Sequence, residues 1–184
     1  MASIAAQKWD RRFAGADSAP KAAKVLQDHT EFLSKHGHAL DIACGLGGNA
    51  LLLASLGLNT SAWDISATGL AKLQHFAGQQ GLSINTQQID LEADSFPAET
   101  FDVIIASHYL YRPLFPALIS ALNKGGVVFY QTFTNSNAGK GGPSNPAFLL
   151  GDNELLEVFS SLETLFYQQD DSPNMAYYIG RKLA

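Results

Sequence analysis

Hydrophobic positions along this chain alternate between short strand-like stretches and longer stretches with helical spacing. Strands are predicted at residues 40–43, 60–63, 84–89, 101–106 and 127–133. The fourth of these is apolar almost throughout, the pattern of a strand buried on both faces. Between them, residues 48–56 predict a helix closed by Gly57, and residues 66–79 predict a helix stopped at Gly81. Residues 113–122 predict a third helix, with Pro113 in its first turn. Ahead of the first strand, Ala22, Val25, Leu26, Phe32 and Leu33 approximate one face, so residues 20–35 also predict a helix. Pro97 lies in the loop after the third strand.

Alternating strands and helices give an α/β fold with a largely parallel sheet. Beyond residue 133 the pattern changes. Residues 135–146 are rich in Gly, Asn and Pro and read as a loop. Residues 152–159 predict a short helix with Asp152 as N-cap. Residues 164–168 and 175–180 are strand-like, and residues 170–174 between them suit a hairpin turn.

The chain has 184 residues, 46% of them hydrophobic and 16% charged, which favours one folded domain over residues 1–184 and argues against disorder. A formal net charge of −5, with Arg11-Arg12 the most notable basic pair, argues against a nucleic-acid partner. No apolar stretch approaches a membrane span. The single cysteine, Cys44, forms no internal disulfide and fits a reducing compartment, so a soluble cytoplasmic protein is expected. A monomer is favoured. His29, His36, His38 and His75 show no metal-ligand spacing, and no metal is expected.

Candidate chemistry centres on Gly45-Leu46-Gly47-Gly48. A strand that ends in a glycine turn and restarts as a helix leaves backbone N–H groups directed at a ligand with a polar tail. Asp41 precedes this turn, Asp64 follows the second strand, Asp90 the third, and Lys124-Gly125-Gly126 precedes the fifth. The spacing Gly45-x-Gly47-x-x-Ala50, with Asp64 nineteen residues after Gly45, also fits a nicotinamide-dinucleotide oxidoreductase. Against that alternative stand Asp41, a poor neighbour for pyrophosphate, then Asp90 and the terminal hairpin. A non-catalytic cofactor-binding module is a third reading. Past the buried fourth strand comes His108-Tyr109-Leu110-Tyr111-Arg112, in the loop where α/β sheets place substrate groups. His108 is either a base or a residue that orders the loop. Arg112 either binds an anionic substrate or pairs with a carboxylate, and Tyr109 and Tyr111 wall the site if both face inward.

Several segments in order, Lys8-Trp9-Asp10-Arg11-Arg12-Phe13, residues 40–49, Ala62-Trp63-Asp64-Ile65-Ser66, Ile89-Asp90-Leu91, residues 101–105 and residues 122–126, together resemble the class I S-adenosylmethionine-dependent methyltransferases. Within these the chain is similar to the small bacterial tellurite-resistance and thiopurine methyltransferase type. The resemblance implies a doubly wound, mostly parallel seven-stranded sheet with helices on both faces and a C-terminal β-hairpin. It implies S-adenosylmethionine as cofactor, S-adenosylhomocysteine as product, and a small-molecule acceptor such as a thiol or metalloid oxyanion. Gly45 and Gly47, with Ala43 and Asn49 beside them, would cradle the methionine portion, and Asp41 would sit near its ammonium. Asp64 would take the ribose hydroxyls, Ile65 the adenine face, and Asp90 and Leu91 the adenine edge. Ser107 and His108 would face the sulfonium. Trp9, Arg12 and Phe13 resemble an N-terminal segment that closes over the cofactor, which makes residues 1–18 a lid; Trp9 as a plain hydrophobic anchor is the alternative. Residues 134–150 are expected to form a flexible loop on the substrate side, opening onto the same edge as His108.

Overall fold

The computed structural model describes residues 3–135, 142–170 and 174–183. Seven strands form one sheet: β1 (His38–Ile42), β2 (Asn59–Asp64), β3 (Ile84–Gln88), β4 (Phe101–Ser107), β5 (Leu122–Phe133), β6 (Glu163–Asp170) and β7 (Met175–Arg181). Their order is β3-β2-β1-β4-β5-β7-β6. β1 to β5 are parallel, and β7 runs antiparallel to both of its neighbours.

Residue alternation along the central strands assigns the two faces of the sheet. Leu40, Ile42, Ile104, Ala106, Val128, Tyr130 and Tyr178 enter one core cluster, and Ala39, Val103, Ile105, Val127, Phe129, Tyr177 and Ile179 enter the other. Both sets are buried, so both faces need cover. On the first, α5 (Phe115–Ala121) and α6 (Glu154–Val158) supply Phe115, Leu118 and Leu155. On the second lie α2 (Lys24–Gln27), α3 (Gly48–Ser55) and α4 (Ala67–Gln79). The remaining helix, α1 (Ile4–Phe13), starts from a Ser3 cap and packs against α4. Between β3 and β4 no helix forms; Phe96 from that loop stands edge-on to Trp63 at 5.2 Å and closes the first face.

Several expected elements differ. β5 begins at Leu122, so Lys124-Gly125-Gly126 lie within it rather than before it, and the helix expected over residues 113–122 is a 3-10 turn at Arg112–Leu114 followed by α5. The helix expected over residues 20–35 reduces to α2 and a single 3-10 turn at Thr30–Phe32. Ala23 is extended, its N–H is taken by Asn49 Oδ1 at 2.7 Å, and the Val25 N–H goes to Gln131 Oε1 at 3.0 Å. These distant side-chain acceptors outcompete a helical start further upstream. The cap of α6 is Asn153, in the left-handed region at φ +57, rather than Asp152, whose carboxylate accepts from Gln169 Nε2 at 3.2 Å. Of the loop expected over residues 134–150, residues 136–141 lie outside the described residues, as do residues 171–173 of the hairpin turn. Thr134 bridges to Leu150, and Leu149 and Leu150 are buried.

Candidate active site

Strand order reverses between β1 and β4, and in an open α/β sheet such a reversal opens a crevice at the carboxyl ends of the strands. Both strands end there in residues with a side chain and positive φ, Ala43 (+49°) after β1 and His108 (+56°) after β4. Such backbone costs about 1–3 kcal/mol per residue and persists only where the surroundings impose it. The neighbouring strands do so: Cys44 N donates to Trp63 O at 3.0 Å, and His108 N to Gln131 O at 2.8 Å.

The glycine turn is built around Asp64. Its Oδ2 accepts from Gly45 N at 2.7 Å and its Oδ1 from Ser66 N at 2.8 Å, which ties the turn to the start of α4. Asp64 is 5% exposed, and burial raises its pKa despite these two bonds. Gly45 needs its positive φ, +56°, and a Cβ there would stand 3.1 Å from the Phe13 ring. At Gly47 a Cβ would run into Leu73 of α4, so that glycine makes room for a helix.

Asp41 has no exposed surface. Asn49 Nδ2 donates to its Oδ1 at 3.2 Å and Ala50 N to its Oδ2 at 3.1 Å, so it straps β1 to the first turn of α3. Burial pushes its pKa up to about 7, against the pull of those two bonds, and the Asp64 charge adds to the rise. Asn49 Nδ2 also donates to Ser107 Oγ at 3.0 Å, joining β4 to the same strap.

A cleft of about 200 Å³ opens beside these groups. One wall is α1, through Ala5, Trp9 and Phe13. The floor carries Ala43, Gly45, Asp64 and Ile65, and the far side Ile89, Asp90, Leu91 and Glu92. His108 and Tyr109 complete it. Asp90 Oδ1 accepts from Glu92 N at 3.1 Å, a local turn that brings both carboxylates to the rim. Burial lowers the pKa of His108, so its imidazole is neutral at physiological pH. Burial holds the Tyr109 phenol protonated, and its Oη is the buried side-chain polar atom left without a partner among the described residues.

Of the residues singled out from sequence, the fold brings Trp9, Ala43, Gly45, Asp64, Ile65, Asp90, Leu91, His108 and Tyr109 to this cleft. Asp41, Asn49, Gly47 and Ser107 stand behind it in the supporting network. Arg12 lies over the ring of Trp9, 5.6 Å from its centroid. Arg112 is held elsewhere: Nε and Nη2 donate to Glu154 at 2.6 and 2.8 Å, Nη1 to Ala147 O and Nη2 to Leu149 O. Tyr111 directs its hydroxyl at Glu92 O, 3.5 Å away. Ala5, Ile89 and Glu92 also line the cleft. The signal for Ala5 was its place one helical turn before Trp9, and for the other two their adjacency to Asp90.

Residues 39–126 match the family model described as methyltransferase domain. The chain is 28% identical over 138 residues to the probable S-adenosyl-L-methionine-dependent methyltransferase TehB of Haemophilus influenzae, covering 71% of this chain and 48% of that protein. It is 29% identical over 126 residues to the ubiquinone biosynthesis O-methyltransferase of Nitrosococcus oceani, covering 65% and 52%. The chain thus spans about half the length of these curated relatives. The crystal structure of TehB from Haemophilus influenzae superposes with a TM-score of 0.76 at 21% identity, covering 95% of this chain and 67% of that one.

Proposed function

We propose, for a chain whose residues 39–126 match the methyltransferase-domain family model and whose fold is that of the class I S-adenosylmethionine-dependent enzymes, that it transfers a methyl group from S-adenosylmethionine to a small-molecule acceptor. One observation carries the reading furthest. Asp64, held by two backbone N–H groups at the edge of the glycine turn, has lone pairs left for a vicinal diol and faces the apolar slot of Ile65, Ile89 and Leu91. That arrangement fits adenosine, with Asp90 within reach of an exocyclic amino group. Asp64, Asp90 and Glu92 around one cleft also favour a cationic ligand over a pyrophosphate.

When bound, the cofactor supplies an electrophilic methyl on a positively charged sulfur. The protein's own task is orientation and exclusion of water. Gly45 and Ala43 bring backbone close to the ligand, and Trp9 and Phe13 cover it. His108, neutral and at the mouth of the cleft, accepts a proton if the acceptor must lose one. We place the acceptor among soft or ionisable nucleophiles, a thiol, a metalloid oxyanion or a similar group, in line with the resemblance to the tellurite-resistance type. Among the described residues no helix is long and apolar enough to cross a membrane. Cys44 is reduced and its thiol is held protonated by burial, which suits a cytoplasmic setting.

The test is calorimetry with S-adenosylhomocysteine and with NADH. Wild-type protein is expected to bind the first and not the second. Asp64→Ala removes charge-assisted bonds to the ligand, and each one lost costs about 1.5–3 kcal/mol, a loss of roughly 10- to 100-fold in affinity per bond. Because Asp64 also holds Gly45 and Ser66, the variant's folding is checked by thermal melting. Unchanged affinity in the folded variant removes the ligand from this cleft.

A further inference from the structure

Asp10 lies on the face of α1 that meets α4, and its Oδ1 accepts two bonds from that helix. Ser66 Oγ donates to it at 2.6 Å and Thr68 N at 3.0 Å. Ser66 is the N-cap of α4, and its hydroxyl oxygen accepts from Gly69 N at 3.0 Å. Asp10 therefore completes the cap from outside the helix, where a carboxylate is favoured by the unsatisfied N–H groups and the helix dipole. Its pKa is lowered accordingly, by the Ser66 bond first and Thr68 next.

A second tie lies one turn later, where Lys72 Nζ donates to Ala16 O at 2.6 Å. Between the two ties, the Phe13 ring fills the space left by absent side chains: a Cβ on Gly69 would stand 3.0 Å from it, and one on Gly45 3.1 Å. Asp10, Phe13 and Ala16 thus pin one segment to α4, and Ala5, Trp9 and Phe13 of the same segment wall the cleft. The enclosed space, about 200 Å³, is below the roughly 300–1,000 Å³ of ordinary ligand clefts. Asp64 beneath it is almost wholly covered.

We propose that Asp10 is a positioning residue which, with the Lys72–Ala16 tie, clasps α1 onto α4 and so sets how long a nucleoside ligand stays in the cleft. The inference rests on the placement of S-adenosylmethionine proposed above and adds the element that retains it. Its contribution falls on dissociation, because the clasp must open before the ligand leaves.

The experiment measures S-adenosylhomocysteine association and dissociation by stopped flow, together with amide hydrogen exchange across residues 5–14. Trp9 serves as the optical probe, since the other tryptophan, Trp63, is buried in the core. Asp10→Ala is expected to speed dissociation about fivefold, two hydrogen bonds on a partly exposed carboxylate, and to raise exchange in α1 but not in β1 or β4. Asp10→Asn keeps an acceptor oxygen and is expected to stay within about twofold of wild type. Lys72→Ala cuts the second tie and is expected to speed dissociation about two- to threefold. A folded Asp10→Ala with unaltered dissociation and unaltered α1 exchange overturns the proposal. If Asp10→Ala does not fold, unaltered values in Lys72→Ala overturn it. The two readings separate on Asp64→Ala: if that variant loses the ligand while the clasp variants behave as wild type, only the clasp is wrong. If Asp64→Ala still binds normally, the placement and the clasp fall together.

Discussion

Asp41 titrates near neutrality because no water reaches it, although two N–H groups point at its oxygens. Its folded pKa of about 7 lies above the unfolded value near 3.9, so the native state holds the extra proton between the two. The stability this confers is complete below pH ~4 and is lost as pH rises through about 7. Asp41→Asn removes the titration. The difference in melting temperature between the variant and wild type is expected to shift in the variant's favour from pH 5 to pH 8, whatever its sign at pH 5. A difference independent of pH would mean that Asp41 is not the titrating group. At this scale the sequence was informative about position and less so about partners. Asp41, Asp64 and Asp90 stand where strand ends and glycines implied. That Asp41 binds Asn49 and Ala50, or that Gly47 yields to Leu73, depends on contacts many residues apart, which spacing alone does not encode.

Among the elements, the Arg112 clamp shows how a cation near a cleft is taken out of it. The residue opens the 3-10 turn Arg112–Leu114 ahead of α5 and binds Glu154 at the start of α6, together with the carbonyls of Ala147 and Leu149. Two elements on one face of the sheet are thereby joined across a loop. The guanidinium is 43% exposed, so the forked ion pair is screened and the carbonyl bonds carry much of the effect. Arg112→Ala is expected to cost about 1–2 kcal/mol, a fall in melting temperature of roughly 2–8 °C, without weakening S-adenosylhomocysteine binding. A variant with wild-type stability and impaired ligand binding would return Arg112 to the site. The helix misread over residues 20–35 has a related cause. Its apolar spacing is real, but Asn49 and Gln131 take the backbone N–H groups of Ala23 and Val25, and a local pattern carries no notice of acceptors so far along the chain.

For the molecule as a whole, fold class and strand count were legible because the sheet core is apolar on both faces and the strands alternate with helices. Short crossovers favour the adjacent pairings of β1 with β2, β2 with β3 and β4 with β5, but not the jump from β3 across β2 and β1 to β4. The positions of the last two strands do not follow from any local pattern, and here the topology has a consequence for how the protein is made. β7, last of the seven along the chain, sits between β5 and β6. Until Met175–Arg181 emerge, β5 presents a long apolar edge with open hydrogen-bonding groups, and β6 has no place to pair. A ribosome-bound chain therefore exposes the β5 edge from the emergence of residues 122–133 until residues 175–181 follow, and the sheet closes only when β7 inserts between β5 and β6. A chain ended after residue 170 is expected to be recovered in inclusion bodies, while supplying residues 174–184 as a separate peptide during refolding restores soluble material; a soluble, monodisperse truncated chain would show that the sheet does not wait for its last strand.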